Sequence, residues 1–238
     1  MKLDHISIWS DRSDRILACL QEQFGMKVLS GFDRGGQVIA RGVRFRNGPF
    51  LDIRQLGRVL PGFDRSFHRL FALEGSTDDV EVVARKKGWV TAVKRRSEVE
   101  HPSQEPYVSS VSFRQGQGLL SEFFTVEHGP DDPRFGPLYD TAQSPLSQVE
   151  LSRVWLPVED AIGAEMTMAA LGAVPQGLVE SQVAPMSGEC FQLGSLQLVT
   201  CAPWGPDRSI RLDLKHSIGK GHLAEPVPGL TLVVNGGD

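Results

Sequence analysis

The chain has 238 residues, enough for one large domain or two of ordinary size. With 40% hydrophobic and 23% charged residues it reads as a globular chain, and a formal net charge of −4 without a basic stripe argues against a nucleic-acid partner. No apolar run approaches the roughly 20 residues that span a bilayer, and Cys19, Cys190 and Cys201 share no CxxC spacing, so they read as reduced thiols of a cytoplasmic protein with no membrane partner.

The first element is LDHISIW at 3–9, which alternates as a half-buried strand does. A helix follows, with Ser13 as its cap, Ile16, Leu17, Leu20 and Phe24 as its apolar stripe, and Gly25 as its stop. Three strand-like runs at 26–32, 38–46 and 49–56 complete a βαβββ order. Within them Arg41, Arg44, Arg46 and Arg54 form a local basic cluster that suits a small anion or solvent.

The order then repeats. FHRLFALE at 67–74 reads as a strand, Ser76 as a helix cap with Asp79 as its capping-box partner, Val80, Val83 and Ala84 as the stripe, and Gly88 as the stop. Strands are expected at 89–96, 107–114 and 119–127. His5 precedes Gly25 by 20 positions, and His68 precedes Gly88 by the same 20.

Residues 129–145, with Pro130, Pro133, Pro137 and Pro145, read as a linker. A third copy begins at Leu146 with LSQVELSRVWLP, continues through a helix with Val158, Ala161, Ile162, Met166 and Ala169 as its stripe, and stops at Gly172. Strands at 173–181, 188–193 and 195–201 follow. The fourth copy is truncated: a strand at 210–215, a Gly- and Pro-rich stretch with no room for a helix, and a last strand at 230–234. The fold expected is α+β, repeated βαβββ modules forming curved mixed sheets with helices on the convex side. A domain of two paired modules would span 1–128, and residues 146–238 would be a degenerate scaffold or lid.

LDHISIW, the Gly-terminated helix and FLDIRQL closing a βαβββ unit resemble the vicinal oxygen chelate superfamily, which includes glyoxalase I, bleomycin-resistance proteins, fosfomycin-modifying enzymes and extradiol dioxygenases. ARGVRFRNGPFLDI is similar to the glyoxalase-like domain group within it. The resemblance implies that two modules pair to cup a divalent metal, held by the first and last strands of each module; a set of two His and two carboxylates suits a transition ion, Ni, Co, Zn, Mn or Fe. Carried onto this chain, those positions are His5, Asp52, His68 and Glu122; at the position of Asp52 the family more often has Glu. The resemblance also leaves a homodimer open.

Strand alternation places these residues together. If Ile6, Ile8, Leu51, Ile53, Phe71 and Leu73 pack on the helices, then His5, Asp52 and His68 face the other way, and Glu122 shares a face with Phe124 and Val126. Two imidazoles and two carboxylates would leave two positions of an octahedral ion open to substrate. Such an ion polarises a carbonyl, with Glu122, or second Asp52, as base; this points to a lyase or isomerase acting on a small oxygenated molecule. If Asp52 falls short, His5, His68 and Glu122 match the facial triad of an Fe(II) ring-cleaving dioxygenase. A third reading is a metal-free binding or resistance-type protein. In the second half Gln148 and Gln197 are taken to match His5 and Asp52, and neutral amides are poor ligands, so a single site in the first half is expected.

Overall fold

Alternating apolar residues make the opening segment a strand, β1 (Lys2–Ser10), which buries Leu3, Ile6 and Ile8 on one side. The structure is a computed structural model and describes residues 1–30, 33–34, 37–38, 40–55, 67–95, 108–114, 118–129, 148–205, 209–216 and 222–236. The expected linker at 129–145 lies almost wholly outside these residues.

Helix α1 (Ser13–Glu22) buries Ile16, Leu17 and Leu20, with Phe24 just beyond its end, as the stripe predicts. Ser13 is its first residue and not its cap; the capping position is Arg12, whose side chain makes no cap bond. Gly25, at φ 61°, makes the left-handed turn that returns the chain to the sheet. Strands β2 (Val28–Ser30), β5 (Ala40–Arg44) and β6 (Phe50–Gln55) complete the module, with β3 (Asp33–Arg34) and β4 (Gln37–Val38) forming a separate ribbon.

The second module has β7 (Phe67–Glu74), α2 (Thr77–Lys87), β8 (Thr91–Lys94), β9 (Val108–Phe113), a 3-10 turn (Gly118–Glu122) and β10 (Phe123–His128). Ser76 caps α2 as expected, and Glu127 on β10 accepts the Thr77 N–H at 2.7 Å, satisfying a second helix-end donor. Val80 and Ala84 are buried, but Val83 is exposed. The eight strands run β2-β5-β6-β1-β7-β10-β9-β8, with β1 parallel to β6, β7 parallel to β10, and the modules joined by antiparallel β1–β7.

The second sheet comprises β11 (Val149–Pro157), β12 (Val174–Glu180), β13 (Ser187–Leu193), β14 (Leu196–Cys201), β15 (Ile210–His216), β16 (His222–Val227) and β17 (Leu230–Gly236), with α3 (Ala161–Ala170) after β11. Strand β16 was not expected, because its glycine- and proline-flanked sequence hides a weak alternation. The stripe expected on α3 is also corrected: Ile162 and Met166 are exposed, while Ala164, Thr167 and Met168 are buried. The helix sequence AIGAEMTMAA is apolar almost all round, so periodicity cannot choose its buried face.

Among the described residues no helix lies between β15 and β16, and this has a structural consequence. Ile210, Leu212 and Leu214 of β15 and Leu230, Leu232 and Val234 of β17 are buried in one core with Leu3, Ile6 and Ile8. α1 lies against β16, where His222 and Gln23 are hydrogen-bonded at 3.0 Å. The first half therefore covers the side that a fourth helix would cover, and each such side chain contributes about 1.5–3 kcal/mol of burial. Asn47, in the β5–β6 turn, clamps the halves by donating to Leu151 O at 2.7 Å and accepting the Leu151 N–H at 3.1 Å. Gly229, at φ 93°, packs against the Phe67 ring, where an added Cβ would lie 3.3 Å from a ring carbon.

Candidate functional site

Register fixes the layout of the first sheet's face away from its helices. Three rows cross the neighbouring strands β6, β1 and β7: Arg54–Trp9–His68, Asp52–Ser7–Leu70 and Phe50–His5–Ala72, the last extended by Phe124 of β10. Three of the four expected ligands, His5, Asp52 and His68, thus share this face as the alternation predicts, and all three are buried.

Glu122 departs from the expectation. It closes the 3-10 turn and does not lie within a strand, so period-two alternation does not govern it. Its Oε2 accepts the Nε–H of Arg69 at 2.8 Å. Arg69 stands opposite Ile8 and is therefore on the helix side, almost fully buried beside Phe71. Glu122 compensates a buried guanidinium on the far side of the sheet from His5 and His68.

The other donors are also engaged. Asp52 Oδ2 accepts from Ser7 Oγ at 3.2 Å and from Arg54 Nε at 2.7 Å, and Arg54 itself stacks over Trp9. His5 donates from Nδ1 to Asp4 Oδ2 at 2.5 Å and is stacked on Phe50, with Phe124 edge-on. Asp4 Oδ1 is 2.9 Å from His128 Nε2, so one carboxylate bridges two imidazoles. Burial pushes the Asp4 carboxyl up, but the hydrogen bonds from His128 and His5 and the charges of both rings outweigh it and hold the group well below the usual carboxylate range.

Sequence reasoning missed Asp4 and His128. Strict alternation would turn Asp4 away from His5, but the β1–β7 register shifts between Leu3 and His5, and this bulge brings the carboxylate round. His128 was legible, since it shares the period-two face of Phe124 and Val126. Among the described residues, no group of three or more His, Cys, Asp and Glu side chains is arranged to hold a metal ion. With both carboxylates paired to guanidinium groups, the quartet does not fit the divalent metal that the resemblance implies.

The second sheet's corresponding face is filled by its own side chains. A matching register shift lies between Leu151 and Arg153, so the residue equivalent to His5 is Arg153 and not Gln148, and Gln197 faces Arg153 as Phe50 faces His5. Gln197 Oε1 accepts two bonds from Arg153, at 3.0 and 2.8 Å. Trp155 donates from Nε1 to Asp213 Oδ2 at 2.9 Å, Arg211 donates from Nε to Asp213 Oδ1 at 2.7 Å, and Arg211 lies over the indole.

Cys190 and Cys201 pack beside this cluster, and burial pushes the Cys201 thiol up to about 12, against the opposing charges of Arg69 and Arg211. The thiolate is the nucleophile, so Cys201 should resist iodoacetamide at pH 8 in the native protein and alkylate only in denaturant. Peptide mapping after native labelling checks this; rapid native alkylation of Cys201 would contradict the burial.

No family model matches the chain, and no curated protein matches it either. Solved structures do. A hypothetical protein from Staphylococcus aureus aligns over 99% of both chains, with TM-score 0.67 and 10% identity. A 2,2',3-trihydroxybiphenyl 1,2-dioxygenase from Sphingomonas wittichii aligns over 99% of this chain and 90% of its own, with TM-score 0.60 and 12% identity. The homoprotocatechuate 2,3-dioxygenase of Arthrobacter globiformis aligns over 99% and 80%, with TM-score 0.59 and 11% identity. At these identities the likeness speaks for architecture alone. The chain carries the fold of the extradiol dioxygenases, the vicinal oxygen chelate fold, over nearly its whole length.

Proposed function

We propose that this chain is a small-molecule-binding protein of the vicinal oxygen chelate fold whose first sheet face works without a divalent metal. The observation that carries the reading is the pairing of both quartet carboxylates with guanidinium groups, Asp52 with Arg54 and Glu122 with Arg69. Turning Glu122 toward a metal would break its buried ion pair with Arg69, which is costly because the guanidinium stays charged. Neither a glyoxalase-type ligand set nor an Fe(II) triad is favoured by that arrangement, since both need Glu122. What the face offers is half-buried apolar surface at Phe50, Leu70 and Phe124, with polar groups in the upper rows. Apolar walls with a few placed polar groups are the ordinary make-up of a ligand site.

Thermal melts of protein purified without chelator test this reading. A ligand of the native state must raise the melting temperature. We expect EDTA, Ni, Co, Zn, Mn and Fe(II) each to shift it by less than about 1 °C, and at least one class among small aromatic acids, amines, alcohols and ketones to raise it. A metal-induced rise of about 5 °C or more that vanishes in His68→Ala would overturn the metal-free reading.

A further inference from the structure

Charge is spread unevenly along this chain. Between Arg153 and Arg208 the sequence contains no Lys or Arg, while Glu159, Asp160, Glu165, Glu180 and Glu189 fall in the same stretch. That stretch supplies α3 and strands β12 to β14. The outer side of α3 carries Ile162 and Met166, 73% and 69% exposed. With Glu165 and Ala169 they recur at helical spacing and form one solvent-facing stripe. On β12, Leu178 is 67% exposed and stands opposite Glu189 of β13. Two positions on from Glu189, Phe191 packs in the core with Met168 of α3. Leu178, Glu180 and Glu189 therefore share the side of the sheet that α3 covers. Among the described residues, Glu165, Glu180 and Glu189 have no ion-pair partner.

The complementary surface is on the same chain. The C-terminal end of α2 exposes Val82 and Val83 one turn before Lys86 and Lys87, and the exposed Val90 and Lys94 follow before and on β8. Among the described residues these three lysines have no ion-pair partner either. The acidic residues of α2 do not cancel them: Asp78 and Glu81 are taken up by Arg95 and Arg85, and Asp79 lies in the first turn. Each surface thus sets large apolar side chains among three charges, and the two surfaces have opposite signs.

Chemistry selects what covers the acidic face. A lipid surface is met by Lys and Arg around an apolar stripe, and this face has carboxylates only. An added strand at the β12 edge is hindered by Pro175 and by the register shift before Gly177. Two identical acidic faces repel each other. A basic, apolar surface fits, and a second copy of the chain brings one. We propose that the α3–β12 face of one copy docks on the α2–β8 end of another, with Glu165, Glu180 and Glu189 meeting Lys86, Lys87 and Lys94 around the exposed apolar side chains. A contact between unlike surfaces is heterologous, so association continues past two copies unless the rotation closes it. Exposed charges steer and orient more than they tighten, so the contact is reversible and sensitive to salt.

Sedimentation velocity on the full chain tests this. At about 100 µM protein in about 20 mM salt the average mass should exceed the 26.1 kDa of one chain, and about 500 mM salt should weaken association at least fivefold. One variant combines Glu165→Lys, Glu180→Lys and Glu189→Lys; a second combines Lys86→Glu, Lys87→Glu and Lys94→Glu. Each alone should associate at least about tenfold more weakly than the wild type. The first keeps a native basic end and the second a native acidic face, so an equimolar mixture should associate again, to within about threefold of the wild type. Loss of fold would not produce that recovery. A wild-type chain that stays at the mass of one copy would overturn the proposal and leave the face to another partner. Association indifferent to salt or to both reversals, or folded variants that stay apart when mixed, would overturn it as well. If either variant fails to fold, Met166→Lys decides: it should weaken association about tenfold, and no change would refute the contact.

Discussion

Glu122→Gln should destabilise the protein by about 3–5 kcal/mol, a fall of roughly 6–20 °C in melting temperature for a chain of this size. The substitution preserves shape and an acceptor oxygen but removes the charge. Arg69 has a side chain only 1% exposed, and Glu122 one that is 12% exposed, so solvent offers the guanidinium little compensation. The cost is large because a buried arginine always remains charged. A metal-ligand role predicts something else: near-native stability in chelator and a loss of metal affinity. Urea unfolding in EDTA separates the two. A change below about 1 kcal/mol in that buffer would show that the Arg69–Glu122 pair is not what holds this region together.

Much of this arrangement was legible in the sequence, and its failures have physical causes. Along β1, β6 and β7 the helix-packing residues Ile6 and Ile8, Leu51 and Ile53, and Phe71 and Leu73 recur at period two, so His5, Asp52 and His68 could be placed on the opposite face from pattern alone. Glu122 could not, because LLSE reads equally well as strand or as a 3-10 turn, and only a strand obliges it to face His5. Asp4 needed knowledge of a bulge, which sequence alternation does not reveal. The counterpart of His5 in the second half was misplaced because LSQVELSRVWLP contains two Leu-Ser starts, at Leu146 and Leu151. The bulge after Leu151 picks the second, so Arg153 replaces Gln148 in the comparison. The charge pairings were the least visible, since Arg69 and Glu122 are 53 positions apart and nothing local links them.

The last expectation concerns Asp4, whose two oxygens each meet an imidazole. Burial alone would favour the protonated acid, but the bonds from His128 and His5 and the charges of the two rings more than reverse that, so its folded pKa lies below its unfolded one. A group depressed in this way stabilises the fold at every pH above its unfolded value near 4, and that contribution drains away as pH falls toward the folded value. Asp4→Asn should therefore cost about 2–3 kcal/mol at pH 7 and progressively less as the pH is lowered below about 4, where the wild-type protein loses the same contribution. Stability curves for the two proteins should converge on the acid side. Because His5 is buried between Phe50 and Phe124, the variant should also loosen that ring, visible as exchange broadening of its imidazole proton resonances. Equal stability of the two proteins at pH 7, with coincident acid limbs, would mean that the two bonds to Asp4 are incidental to the fold.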